Sequence, residues 1–436
     1  METPLNDFVS TYVMTNPVRF HMPGHKGHDL FHGRLYGFEA DITKFDITEV
    51  KGTENLIELS EANASEIFGC PTYYSTEGSS LCIRAMMSLL LKKTGIRTVV
   101  AARNCHNSFI TACALLDLDV VWIPDDDGLL STTVDLSVLD RILTETKACC
   151  VYITSPDYLG SVSDIAAISD VCRKHGTYLA VDNAHGAYLK FFNSHPMQLG
   201  ADICCDSAHK TLPVLTGGAY LHVSEDLNEM DVRREMSLFA STSPSWLILA
   251  SLDRCNGYMA DPKFALSLRK LSSKVQSISN NISIKTHGNE YLKLTLCPNS
   301  LGYTGDMFAD VLRTYNIEPE FSDENFVTLM FSVNTKDEDF DMLMKALDSV
   351  EPMDPLDIPV ISVPAPEKVV SIRQAVMGRT EVVDIDKAEG RVAGFAKTSC
   401  PPAVPIVIAG ERIKAEHIKA LQAYGFETIE VCCDFE

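Results

Sequence analysis

The stretch Cys204–Leu221, CCDSAHKTLPVLTGGAYL, decides how the rest of the chain is read. It opens on the end of an apolar run, Ala201–Cys205, and breaks into Asp206-Ser207-Ala208-His209-Lys210. A proline and the pair Gly217-Gly218 then lead into a second apolar run, Ala219–Val223. Short apolar runs bounded by polar and glycine residues read as buried strands. A lysine between two such strands is unusual, because burying an ammonium costs on the order of several kcal/mol unless it is paired or chemically altered. Lysine is also the side chain whose pKa falls readily on burial, giving an amine able to form a Schiff base. The commoner case for any single lysine is a solvated surface residue. The reading of Lys210 therefore depends on what neighbouring segments supply.

Upstream, helix and strand patterns alternate. Helices are predicted at Asn55–Phe68, Ser80–Lys92, Ser108–Leu116, Val134–Thr144 and Ile165–His175. Strands are predicted at Pro71–Ser75, Ile96–Ala101, Val120–Ile123, Ala148–Thr154, Tyr178–Asp182, Asp202–Cys205 and Ala219–Val223. Short apolar strands separated by ten-to-fifteen-residue helices imply βαβ units and a mostly parallel sheet covered on both faces. The run Ser241–Ala260 reads as a long helix leaving this domain, with Ser243 as N-cap and Pro244 at the first helical position. The pattern then changes to a smaller α+β unit, with helices at Lys263–Ile278, Asp306–Tyr315 and Glu338–Asp348 and strands at Tyr291–Leu296 and Phe326–Val333. The expected organisation is an N-terminal extended arm (1–54), an α/β large domain (55–262), a small α+β domain (263–350), a proline-rich linker (351–366) and a C-terminal α+β unit (367–436). In the last, Val404–Ile408 reads as a strand and Ile413–Tyr424 as a helix.

Bulk properties narrow the class. With 436 residues, 46% hydrophobic and 22% charged, the chain has the make-up of a soluble multidomain protein. No apolar run approaches the ~18 residues of a membrane span, and the N-terminus lacks the basic and apolar regions of a signal peptide. A net charge of -22 argues against nucleic acid or an anionic membrane as partner. The fourteen cysteines form no CxxC pair, and several sit in or beside apolar runs. Buried free thiols of a reducing, cytoplasmic protein are expected rather than disulfides or a metal site. His21, His25 and His28 lie in the Gly-rich piece Arg19–Gly33 without cysteine or carboxylate at ligand spacing, and read as pocket-lining loop residues.

Four pieces of the large domain fit one chemistry. Gly78, Ser79 and Ser80 lie where a strand gives way to a helix, and the free N–H groups and positive end of a helix suit a phosphate dianion. Asp182 ends an apolar strand, where parallel sheets face their ligand crevice. A carboxylate there can pair with a protonated pyridine nitrogen, and His185, three residues on, can support it. His106 follows the strand Ile96–Ala101 and can lie against a cofactor ring. Lys210 comes one strand beyond Asp182. The order phosphate loop, ring-stacker, aspartate, Ser-x-His-Lys is what pyridoxal 5'-phosphate (PLP) requires: an amine for its aldehyde, a charged ring nitrogen to make it an electron sink, and an anion cradle.

The match extends further. FHMPGHKG (Phe20–Gly27), FDITE (Phe45–Glu49), DNAHGA (Asp182–Ala187), DSAHKTLPVLTGGAYLH (Asp206–His222) and TSPSWLILASLD (Thr242–Asp253) together resemble the Orn/Lys/Arg decarboxylase family, the bacterial basic amino acid decarboxylases of PLP fold-type I. The resemblance runs from Arg19 into the C-terminal unit, and is to the short members that lack a receiver-like N-terminal domain. It implies that Lys210 forms the internal aldimine, Asp182 holds the pyridine nitrogen and His106 stacks on the ring. It implies too that Ser79, Ser80, Ser207 and His209 hold the phosphate, that His209 is a candidate proton donor, and that His185 supports the cofactor. A homodimer with sites at the interface and a role in polyamine biosynthesis are further expectations.

The C-terminal unit departs from the family pattern. Where Tyr-Pro-Pro-Gly-Ile-Pro and Pro-Gly-Glu are usual, this chain has Cys400-Pro401-Pro402-Ala403-Val404-Pro405 and Ala409-Gly410-Glu411. The substrate is thus left open among lysine, arginine, ornithine and a less usual amino acid. For the distal cation of a basic substrate the candidate partners are Asp46, Glu49 and Glu411. The rival readings are a PLP aminotransferase or β-eliminating lyase, and a non-catalytic relative. The first needs an arginine to clamp the substrate carboxylate, and Arg313 is the nearest candidate.

Overall fold

The apolar runs of the first half pair into one seven-stranded sheet, seen in a computed structural model that describes residues 1–15, 19, 44–124, 130–131, 133–359, 367–395 and 404–435. Its strands are β1 (Thr72–Ser75), β2 (Thr98–Ala101), β3 (Asp119–Trp122), β4 (Cys150–Thr154), β5 (Tyr178–Asp182), β6 (Ile203–Asp206) and β7 (Ala219–Val223), in the order β1-β7-β6-β5-β4-β2-β3. From β6 to β3 every neighbour is parallel; β7 is antiparallel to both β6 and β1. The mixed α/β architecture with a mostly parallel central sheet follows the sequence reading.

Alternation along the strands sorts side chains between the two faces. Tyr152, Ala180 and Cys205 pack with the helices Gly78–Thr94 and Asn107–Leu116. Val151, Ile153, Val181 and Cys204 pack with the helices Leu136–Glu145 and Ile165–Lys174. The same alternation puts Asp182 on the Tyr152 face and Asp206 on the opposite one.

A four-stranded antiparallel sheet follows, ordered β10-β11-β9-β8 from β8 (Lys285–His287), β9 (Lys293–Cys297), β10 (Phe321–Ser322) and β11 (Val327–Met330). A two-stranded sheet of β12 (Thr380–Asp384) and β13 (Thr428–Cys432) closes the chain.

Three local expectations are corrected. Pro4–Thr15 is a helix, not extended: Leu5 and Val9 share a buried face, and Asn6 docks on the helix Trp246–Ala260 through Ala250 O at 2.7 Å and Asp253 Oδ2 at 2.9 Å. That helix is capped by Ser245, whose hydroxyl accepts from Ile248 N, and not by Ser243. Val404–Ile408 is buried but forms no strand; Pro405 offers no N–H for a ladder. The strands of the last unit are instead β12 and β13. The thirteen described cysteines are free thiols, ten of them buried. The segment Phe20–Gly27 and residues 360–366 and 400–403 lie outside the described residues.

Candidate active site

β5 and β6 lie side by side with Asp182 opposite Cys205, so the chain leaves the sheet twice at adjoining carboxyl ends, where parallel sheets hold their ligands. After β5 comes the turn Asn183–Gly186. After β6 comes a single helical turn, Ala208–Thr211, with Ser207 at its N-cap. The two turns meet: Lys210 Nζ is 3.1 Å from His185 Nε2.

Asp182 is buried on the inner face. It accepts from Ala184 N at 3.1 Å, from the Tyr152 hydroxyl at 3.3 Å and from Cys205 Sγ at 3.5 Å. Among the described residues no cation pairs with this carboxylate. A buried carboxylate surrounded only by weak neutral donors is costly unless a positive group completes it. His185 is buried as well, and its Nδ1 has no partner among the described residues.

The serines converge at the start of the helix Gly78–Thr94. Ser207 makes no capping bond with its own helix and turns its hydroxyl to Ser79 Oγ at 2.8 Å. The Ser108 hydroxyl reaches Ser80 Oγ at 2.7 Å. Gly78 has φ 72°, a left-handed value open to glycine, and its N–H donates to Gly217 O at 2.8 Å. Any side chain on Gly217 would meet Thr76 O at 2.8 Å, so the two loops need a glycine there to approach. The result is a set of hydroxyls and free N–H groups at a positive helix end.

His106 caps the helix Asn107–Leu116, its Nδ1 accepting from Ser108 N at 3.0 Å, which leaves the proton on Nε2. His209 Nδ1 lies 3.0 Å from Gly218 O and donates to it. Burial holds His106, His185 and His209 below the ordinary imidazole range. Lys210 adds to the effect at all three, while Asp182 opposes it at His106 and the Gly218 carbonyl opposes it at His209. The crevice thus gathers neutral imidazoles around one amine.

Other candidates fall elsewhere. Glu411 is buried, but its carboxylate is gripped by Arg103, at 2.7 and 3.1 Å, and by Ile408 N at 2.8 Å. Glu49 is exposed, and the backbone carbonyl of Asp46 accepts from Arg19. Arg313 is held on the surface by Asp310 and Glu318, at 2.9 and 3.0 Å.

The sequence reading missed several partners. Tyr152 lies within a predicted strand, and Tyr158, edge-on to His185 at 5.4 Å, lies just beyond it. Asp206 was taken as part of the lysine motif, yet it faces away from Lys210 and accepts from His195 Nε2 at 3.0 Å, His222 Nε2 at 3.1 Å and Asn183 Nδ2 at 2.7 Å. His195, Asp206 and His222 bring their ligating atoms within 4.8 Å of one another. The far nitrogens are engaged too, with Met197 N and the Thr72 hydroxyl, so the cluster is a satisfied hydrogen-bond network.

The donor set fits PLP: an amine, a buried carboxylate lacking a cation, an orphaned imidazole nitrogen and a hydroxyl-lined helix end. The fold is that of the fold-type I class, whose members use this cofactor. Comparison with known proteins narrows the class. Residues 3–286 match the family model "Orn/Lys/Arg decarboxylase, major domain", and residues 362–429 match its C-terminal domain. The chain belongs to this family and is a PLP-dependent amino acid decarboxylase. It is 30% identical to an arginine decarboxylase of Bacillus subtilis (strain 168), over 98% of this chain and 94% of that one. It is 28% identical to an arginine decarboxylase of Halalkalibacterium halodurans, over 96% and 92%. The fold superposes on the Francisella novicida lysine decarboxylase LdcF with a TM-score of 0.78 at 16% identity, covering 99% of this chain and 81% of that one. No helix among the described residues is long and apolar enough to cross a membrane.

Proposed function

We propose that the chain converts a basic amino acid, with arginine first among arginine, lysine and ornithine, to its amine and CO2 on PLP held by Lys210. The observation that carries this is the meeting of Lys210 with His185 at the end of the strand that buries Asp182 without a cation. The arginine decarboxylases among the relatives favour arginine. Bound PLP supplies an aldehyde for the amine and an electron sink for the pair left when CO2 departs.

The chain's own groups do the rest. Lys210 would hold the cofactor through its side-chain amine, beside His185 Nε2. Asp182 keeps the ring nitrogen protonated, an electrostatic contribution aimed at the charge that develops. Gly78, Ser79, Ser80, Ser207 and His209 would hold the phosphate, and His106 would cover the ring. Loss of CO2 leaves an electron pair at Cα, and a proton from Lys210 replaces the lost group, since neutral His209 already gives its one N–H to Gly218 O. Water is kept from the site by closure against the small sheet and by a second copy in a homodimer, to be tested by sedimentation.

Purified Lys210→Ala is expected to lose the yellow colour of the bound cofactor and all amine release. Normal turnover by that variant overturns the assignment. Adding a 2-oxo acid separates decarboxylation from amino-group exchange; the engagement of Arg313 with Asp310 and Glu318 disfavours exchange. A panel of amino acids scored for CO2 and amine identifies the substrate.

A further inference from the structure

The small sheet grips the loop Asp157–Ser161, which follows β4. Gly160 O accepts from Asn289 N at 2.8 Å and Glu290 N at 3.0 Å. Asn289 Oδ1 accepts from Val162 N at 2.9 Å, and the Thr295 hydroxyl donates to Leu159 O at 2.8 Å. At the centre, Lys293 Nζ donates to the carbonyls of Asp157 and Tyr158, both at 3.2 Å. It also lies 3.2 Å from Glu290 Oε2, and each of these two side chains is 1% exposed. Glu290 Oε1 accepts from the Tyr188 hydroxyl at 2.9 Å.

The two charges therefore hold different pieces of chain. Lys293 holds the loop that carries Tyr158, whose ring stands edge-on to His185. Glu290 holds Tyr188, three residues beyond His185. A buried ion pair is seldom retained for stability, since apolar residues of similar volume usually serve as well or better. Here it clamps both flanks of the imidazole that meets Lys210.

We propose that Lys293 and Glu290 are positioning residues that set His185 against Lys210 from the small sheet. This rests on the reading of Lys210 given above. The groups facing His185 are Lys210 and His209 from the turn after β6, His106, Lys293 with its partner Glu290, and the Tyr158 ring. Burial, then Lys210, Lys293, His106 and His209, hold the imidazole neutral. Removing the Lys293 charge therefore raises its affinity for protons, while Glu290, already above the usual carboxylate range through burial, takes up a proton.

The test is Lys293→Met, with Lys293→Arg as the conservative variant. The histidines are followed by NMR titration in cofactor-free protein, His185 being assigned by comparison with His185→Gln. PLP binding is followed by absorbance, and kcat and KM by amine release. The expected result is an upward move of the His185 titration by about half a unit or more, a kcat lowered about tenfold or more with KM changed less than threefold, and partial recovery in Lys293→Arg. If Lys293→Met does not fold, Lys293→Met/Glu290→Gln, which buries no unpaired charge, carries the same readouts. A folded variant with lower Tm but unchanged His185 titration, PLP affinity and kcat overturns the proposal. Failure of the Lys210 reading appears separately, as turnover by Lys210→Ala, and leaves the cofactor-free titration to decide the role of Lys293.

Discussion

Arg103 and Glu411 are joined by two hydrogen bonds, at 2.7 and 3.1 Å, across 308 residues of sequence. Arg103 begins the loop that ends at His106, and its guanidinium also lies over the Trp122 ring at 5.3 Å. Glu411 forms an isolated antiparallel bridge with Lys368 and has only 5% of its side chain exposed. The C-terminal unit thus braces the loop that ends at His106, and the Glu411 carboxylate is engaged by Arg103.

Glu411→Ala is accordingly expected to lower stability by roughly 2–4 kcal/mol, because it strands a partly buried guanidinium, and to weaken PLP binding. The ranking of amino acids in a substrate panel should stay the same. Urea titration and the panel check both halves; a changed preference with unchanged stability would restore a substrate role for Glu411.

Ser207 and Ser79 make a second test. Their hydroxyls are 2.8 Å apart at the helix end, and Ser207 has no capping bond to lose. Ser207→Ala and Ser79→Ala should each raise the PLP dissociation constant about tenfold, the effect of one hydrogen bond to a charged group of roughly 1.5 kcal/mol. Affinity for pyridoxal, which lacks the phosphate, should change little. Equal losses for both ligands would place the phosphate elsewhere.

The large sheet was legible because its strands are short apolar runs that end in polar loops, as at Tyr178–Asp182 and Ala219–Val223. Asp182 and Lys210 stood out because each charge closes such a run. Partners set by tertiary contact carried no such mark. Arg103 sits in a polar loop whose spacing says nothing of Glu411, and Tyr158 reaches His185 only because the turns after β4 and β5 adjoin. Ser245 and not Ser243 is the cap because the helix begins at Trp246, where the Ser245 hydroxyl meets Ile248 N, a choice that local propensity leaves open. Val404–Ile408 misled because a run buried between units is as apolar as a strand.

The imidazole of His185 gives a signed pH prediction. Its folded pKa is depressed chiefly by burial, so the folded protein refuses a proton that the unfolded chain accepts below about pH 6.5. Wild type is therefore penalised as pH falls and His185→Gln is not. For the cofactor-free protein, the stability of wild type relative to the variant should fall between pH 7.5 and 5.5 by up to about 1.4 kcal/mol. Urea titrations at the two pH values measure this, and a constant difference would mean that His185 titrates normally.

Asp206 supports the lysine turn from behind. Burial opposes its ionisation, but His195 and His222 outweigh that and hold the carboxyl well below its usual range. Through Asn183 the same carboxylate ties the residue after Asp182 to the residue before Ser207. It thereby fixes the separation of the two turns that follow Asp182 and precede Lys210. Asp206→Asn trades a charged acceptor of three nitrogen donors and the Cys204 thiol for a neutral one, and should cost about 2–4 kcal/mol in urea titrations. His222→Gln, which removes a single donor, should cost less, about 1 kcal/mol. Because both imidazoles are already committed to Asp206, a metal chelator should leave Tm unchanged. A Tm lowered by the chelator and recovered with zinc would turn this network into a metal centre, and the argument for it as a brace between turns would fall.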